Sequence, residues 1–141
     1  MPRRLLLLFF ILFVAMIGFG VTLPALPFFV ERLALGDGAS AGGVALHVGA
    51  LTSTYALAQL ACAPFWGWGA DRYGRKPLLV TGLSGFAIAQ AAFGLSTSLP
   101  LLYGARLMGG ASSAALLTIS AAYVADTLSP AQRGQGMAWR G

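Results

Sequence analysis

The stretch "GWGADRYGRKP", Gly67 to Pro77, puts one carboxylate and three cations (Asp71, Arg72, Arg75 and Lys76) within six positions of a chain in which 9% of residues are charged. The chemistry available to such a cluster is ion pairing and anion attraction, not bond making. Gly67 and Asp71 are four apart and share a face if the preceding helix reaches them. Gly74 permits a tight turn among the cations, and Pro77 suits the first position of a following helix. A simple positive anchor at a membrane surface needs Lys and Arg, but it needs neither an acid nor two placed glycines.

Two more charges stand out. Arg106 is the one charge inside the apolar run Leu101 to Val124. At mid-helix an Arg costs roughly 2.5–3.5 kcal/mol on insertion scales, so it is expected to face the bundle or a water-filled cavity. Gly110, Ser113, Leu117 and Ser120 follow on its face at helical spacing. The bland alternative is an Arg that snorkels to the surface. Asp126 closes the same run in "YVAD"; an acid at a helix C-terminus opposes the dipole and calls for a nearby cation.

Other polar groups carry less. Gln59 and Gln90 lie in apolar runs, where such residues more often bond a neighbouring helix than a substrate. His47 reads as an exposed interfacial residue. The single Cys62 cannot form an internal disulfide, and one His with one Cys cannot build a zinc site. There is no phosphate-cradling loop and no base beside the serines of the fourth run, so the sequence reads as neither an enzyme nor an ATP user, with no cofactor and no metal.

These residues must be positioned by membrane helices. The chain is 57% hydrophobic with a mean hydropathy of +0.77, and a soluble domain would carry about 25% charged residues. Four runs reach the roughly 20 residues needed to cross a bilayer, at about 5–30, 46–66, 77–95 and 101–124. Backbone groups in lipid must be paired internally, so the runs are helices and 67–76 is the loop between the second and third. The first run is too long for a signal peptide. Its "GFGVTLPALP" contains Pro24 and Pro27, each of which removes a backbone donor and is expected to kink or distort that end of the helix. A kinked helix suits a moving element, and equally an irregular end where the chain leaves the membrane.

The net charge of +5 sits in short clusters between apolar runs, which fits membrane topology and not nucleic-acid binding. Alternate connections carry seven Lys/Arg (Arg3, Arg4, Arg72, Arg75, Lys76, Arg133, Arg140) against Arg32 alone. By the positive-inside rule the N-terminus, the 67–76 loop and the tail are cytoplasmic. Trp66, Trp68 and Tyr73 suit an interfacial aromatic belt. Helix four is rich in Gly, Ala and Ser, which allow close helix packing in lipid.

The 67–77 stretch resembles the cytoplasmic loop signature of the major facilitator superfamily, Gly-x-x-x-Asp-Arg-x-Gly-Arg-Arg/Lys. Gly67, Asp71, Arg72, Gly74, Arg75 and Lys76 match every position, and the place between spans two and three matches too. "YALAQLACAPFWGWGADRYGRKPLL" and "YGARLMGGASSAALLTISAAYVAD", with "GFGVTLPALP", are similar to the drug/proton antiporter branch that includes the tetracycline antiporters. One departure is Ala15, where those antiporters commonly carry an acid; helix one here has none.

The resemblance implies a twelve-helix bundle of which this chain supplies the first four helices and the start of a fifth near 134–141. It implies a secondary transporter in the inner (plasma) membrane, exporting small amphipathic compounds against protons by alternating access. Its partners would be a small-molecule substrate, protons, the bilayer and the remaining helices. It further implies a charge link from Asp126 to Arg75, or failing that Arg72, and a cavity or coupling role for Arg106 with Gly110 and Ser113. Two alternatives stand beside it: a uniporter or symporter for a sugar or metabolite, and a non-transporting four-helix membrane scaffold.

Overall fold

The structure, a computed structural model, describes residues 3–127 except 37 and 39. Asp37, Arg133, Arg140 and the expected start of a fifth helix near 134–141 lie outside the described residues. Four helices follow in order: α1 Arg3–Gly36, α2 Ala41–Tyr73, α3 Arg75–Gly94 and α4 Leu99–Thr127. All four are long and apolar enough to cross a membrane.

The helices outrun the apolar stretches that mark them. At about 1.5 Å per residue the 34 residues of α1 reach roughly 51 Å, against a hydrocarbon core of about 30 Å. Hydropathy marks the part that suits lipid, while backbone hydrogen bonding carries the helix onward into the charged ends. The same effect corrects the expectation of a 67–76 loop. The segment is helical except at Gly74, so Gly67, Asp71 and Arg72 belong to α2, and Arg75 and Lys76 to α3.

Gly74 makes the whole turn. Its φ of +91° is a conformation that side chains resist, and its N–H closes α2 by donating to the carbonyl of Ala70 at 3.1 Å. Pro77 is the third residue of α3, not the first; the missing N–H costs nothing there, because the opening turn of a helix has no internal acceptors for its donors. At the other connections, Ser40 caps α2 by accepting from the N–H of Gly43 at 3.3 Å. Ser96, fully buried after α3, donates from its hydroxyl to the carbonyl of Ala92 at 2.7 Å.

α1 runs unbroken through Pro24 and Pro27. The prolines therefore do not end the helix, although each leaves the carbonyl four residues earlier without its usual donor. The segment beyond them is anchored: Leu26, Val30 and Ala34 pack with Leu51 of α2, Phe93 of α3 and Leu102 of α4 in one apolar cluster.

α4 is the centre of the bundle and packs chiefly on α2 and α3. Half of its most apolar stretch is buried, against 17–22% for the other three helices, whose outer faces remain open. Small residues make this approach possible. A Cβ on Gly82 would come to 2.5 Å from that of Ala115, and one on Gly109 would meet the Tyr55 ring at 3.3 Å. A second cluster joins Ala15, Phe86 and Leu116, and a third, near the α2–α3 junction, joins Ala70, Ala115 and Ile119.

Candidate functional site

At the α2–α3 junction the structure brings Arg75 against the end of α4. One terminal nitrogen of its guanidinium pairs with Asp126 Oδ2; the other donates to the carbonyl of Ala122 at 2.9 Å. The helix explains both contacts. Ala122 and Asp126 both lie in the last turns of the described part of α4, where the helix dipole and the carboxylate are negative together, so a cation is favoured there. Arg72 points elsewhere, its guanidinium 5.4 Å from the Trp68 ring centroid and 5.8 Å from that of Tyr73. Asp71 is exposed and makes no ion pair with any described residue. It shares with Arg75, Asp126, Tyr123, Ala70 and Gly74 an open depression of about 530 Å³.

Trp66 does not stand in a surface belt with Trp68 and Tyr73. Its indole N–H donates to the Ala111 carbonyl at 2.7 Å, joining α2 to α4. Gly67 faces the Thr118 side chain at ordinary contact distance.

Deeper in the bundle, Arg106 is 3% exposed, which rules out a snorkelling side chain within these four helices. Its guanidinium carbon lies 4.3 Å from the centroid of the Tyr55 ring. A desolvated cation over an aromatic face gains about 2 kcal/mol, which offsets much of the roughly 3 kcal/mol cost of burying the charge. It does not satisfy every donor: Nε is buried without a hydrogen-bond partner. The site thus holds a positive charge with spare hydrogen-bonding capacity.

A cavity of about 220 Å³ lies between the helices; Arg106, expected to face it, is not among its lining residues, although its stacking partner Tyr55 is. Its walls are mostly apolar, among them Ala15, Phe19 and Phe86, with Tyr55, Gln59 and Ser113 as the polar exceptions. Tyr55 and Ser113 both line it, and Ser113 Oγ donates to the Gly110 carbonyl at 3.0 Å. The stripe expected below Arg106 therefore divides. Ser113 lines the cavity. Gly110 does not: a Cβ there would overlap the Tyr55 carbonyl oxygen and sit 3.0 Å from the Ala58 Cβ. Pro24 and Pro27 are absent from the cavity wall.

Three polar arrangements carried little sequence signal. Gln90 Nε2 donates to the Gly18 carbonyl and to Thr22 Oγ1, both at 2.9 Å, and Thr22 donates to that carbonyl at 2.8 Å, so a polar link joins α3 to α1. His47 is half-buried, not exposed, with Nδ1 3.0 Å from the Tyr103 hydroxyl. Tyr55 itself, the platform for Arg106, reads in the sequence as one more apolar residue. Among the described residues no group of His, Cys, Asp or Glu is arranged to hold a metal ion.

Four long apolar helices around a buried cation and an apolar cavity, with a charged single-residue turn at one end, define a multi-pass membrane helix bundle. The Major Facilitator Superfamily model matches residues 8–141, and the chain belongs to that family of membrane transporters, which are not enzymes. It is similar to "Multidrug resistance protein 2" of Bacillus subtilis (33% identical, covering 91% of this chain and 30% of the relative). It is also similar to "Tetracycline resistance protein, class B" of Escherichia coli (33% identical, covering 88% and 29%). "Quinolone resistance protein NorA" of Staphylococcus aureus is 27% identical, with 94% of this chain and 32% of the relative covered. The chain spans about three-tenths of the length of these relatives.

Proposed function

We propose that these four helices belong to a proton-coupled transporter that exports small amphipathic compounds by alternating access. The observation that carries the reading is the Arg106 site: a buried cation with an unpartnered Nε, stacked on Tyr55, which itself lines a largely apolar cavity. Apolar walls suit the body of an amphipathic molecule, while Gln59, Ser113 and the Tyr55 hydroxyl orient its polar groups. None of the described residues lining the cavity is a carboxylate. The acid that exchanges protons therefore comes from the rest of the protein, and Arg106 acts by setting the potential at the site or by ligating that acid. Drug and tetracycline resistance among the similar proteins supports efflux over uptake.

The Arg75 contacts serve as a latch between the α2–α3 turn and α4, made in one state of the transport cycle and broken in the other. In this reading the protein sits in the plasma membrane with its N-terminus and the 71–76 segment in the cytoplasm, as the seven-to-one bias of Lys and Arg indicates.

The test is efflux of a fluorescent amphipathic substrate by the full-length protein in vesicles, with membrane levels matched. Arg106→Ala is expected to abolish efflux. Arg106→Lys keeps the charge but loses the planar guanidinium that stacks on Tyr55, and is expected to be nearly as damaging. Wild-type efflux by Arg106→Ala would remove the proposed site. Efflux indifferent to collapse of the proton gradient would leave a facilitator of another solute.

A further inference from the structure

The cavity and the buried cation are neighbours that do not meet. Arg106, from α4, is almost wholly buried and is not among the residues lining the cavity. Tyr55, from α2, belongs to both places: its ring lies 4.3 Å from the guanidinium carbon, and it lines the cavity. A guanidinium held over a ring is covered by that ring on one side. A molecule in the cavity therefore meets Tyr55 before it meets the charge.

The ring is held differently from each side. The hold from α4 is rigid. A Cβ on Gly109 would come to 3.3 Å from the ring, and one on Gly110 would overlap the Tyr55 carbonyl oxygen, so α4 is seated directly on this residue, backbone and ring alike. The hold from α1 is a single aromatic side chain. Phe19 packs on Tyr55 with ring centroids 5.5 Å apart and planes tilted by 42°, within the range at which aromatic pairs attract. Phe19 is half-buried and also lines the cavity. α1 packs on α2 and α4 far more lightly than those two pack on each other. The Phe19 contact can therefore part without unseating α2 from α4. Phe19, Tyr55 and Arg106 form a series, with the lightly packed helix at one end and the buried cation at the other. Each contact lies between two of the four described helices, so it stands whatever packs around them.

Given the transport role proposed for Arg106, on which this rests, we infer that Tyr55 is a shutter between the cavity and the guanidinium, held closed by Phe19 and opened when α1 carries Phe19 away. Both aromatic residues are positioning residues: they set when the cation can be reached. Closed, the ring face stabilises the charge. Opened, the cation loses that partner while its Nε still lacks an acceptor, and it is driven to a new one, on a substrate or a carboxylate.

The experiment follows modification of Arg106 by phenylglyoxal, a small dicarbonyl that reacts with guanidinium groups, in the purified full-length protein. Peptide mass spectrometry reads the rate, with the exposed Arg4 as reference in the same sample. Wild type is expected to react far more slowly at Arg106 than at Arg4. Tyr55→Ala removes the shutter and is expected to speed Arg106 about thirtyfold, the population ratio that a desolvated cation–π contact maintains. Tyr55→Phe keeps the ring and is expected to match wild type. Phe19→Ala releases the ring and is expected to give about fivefold. Added to Tyr55→Ala it is expected to give nothing more, since no shutter is left to hold; a general loosening of the fold would add its increment in either background. Tyr55→Leu and Phe19→Leu, which keep more of the packing, supply the same comparisons should an alanine variant fail to fold. Arg106 as slow in a folded Tyr55 variant without the ring as in wild type would overturn the shutter. A wild-type rate in Phe19→Ala, or an undiminished increment on top of Tyr55→Ala, would overturn the series. None of these rates depends on transport, so wild-type efflux by Arg106→Ala and failure of the shutter are separate results.

Discussion

Replacing Gly110 with alanine separates packing from transport chemistry at the Arg106 site. A Cβ at position 110 would lie well inside van der Waals contact distance of the Tyr55 carbonyl oxygen and 3.0 Å from the Ala58 Cβ. The obstructing oxygen is backbone, so no rotamer change relieves it; α4 must move off α2. Overpacking of this kind costs about 1–3 kcal/mol. The shift also carries Tyr55 away from the Arg106 guanidinium, which weakens a contact worth about 2 kcal/mol when desolvated. The internal control is Gly104→Ala, where no side chain or neighbouring helix lies within 4 Å of the new methyl. Gly costs about 0.5–1 kcal/mol relative to Ala in a helix interior, so that variant is expected to be neutral or slightly more stable. The assay is thermal unfolding of the full-length protein in detergent, followed by size exclusion, beside efflux at matched expression. Gly110→Ala is expected to unfold several degrees lower and to lose efflux, with Gly104→Ala unaffected in both. If Gly110→Ala were as stable as wild type but inactive, Gly110 would act at the transport site and the packing argument would be wrong.

Other expectations concern separate contacts. Arg75→Gln removes the ion pair and the bond to Ala122, whereas Asp126→Asn removes only the former, so the arginine variant is expected to be the more damaging to efflux. A double-mutant cycle on stability should couple them by under about 1 kcal/mol, since the Asp126 side chain is 64% exposed; strictly additive effects would refute the contact. Gln90→Leu cuts the link from α3 to Gly18 and Thr22 and is expected to destabilise by about 0.6 kcal/mol, at most about 1.7. An unchanged unfolding temperature would show that the link contributes nothing. With Cys62 replaced by Ser, Tyr73→Cys is expected to resist an impermeant thiol reagent in intact cells and Gly38→Cys to react; the opposite pattern would invert the proposed topology.

Much of this architecture is legible in the residues because charge is so scarce in them. In an apolar background a single Gly between charged neighbours, followed by Pro77, announces a sharp turn. Asp126 at a helix end likewise calls for the cation that Arg75 supplies. Helix ends are less legible, since hydropathy falls at Trp66 while the backbone hydrogen bonds of α2 continue to Tyr73. Partners across the bundle are the least legible. Tyr55 lies in an apolar run and has no local feature that distinguishes a ring under a guanidinium from a ring against lipid. Helical spacing groups Gly110 with Ser113, but spacing gives only the angular position of a residue. What stands opposite it depends on how closely α2 approaches, and that is decided by Ala58, Gly109 and Gly110 together.

The turn at Gly74 also has a mechanical consequence. A hinge needs several residues free to change φ and ψ, and between α2 and α3 there is one, whose N–H is already bound to Ala70. Bending there would break the cap and drag Arg75 from the end of α4. While the Arg75 contacts hold, torque on any of these three helices is passed to the other two, as in a gear cut from a single piece. Compliance is left to α1, whose contacts with α2 and α4 are lighter and whose prolines weaken its own backbone. Motion of this bundle should begin with α1 pivoting on the Leu26–Ala34 cluster, with the other three helices serving as its frame.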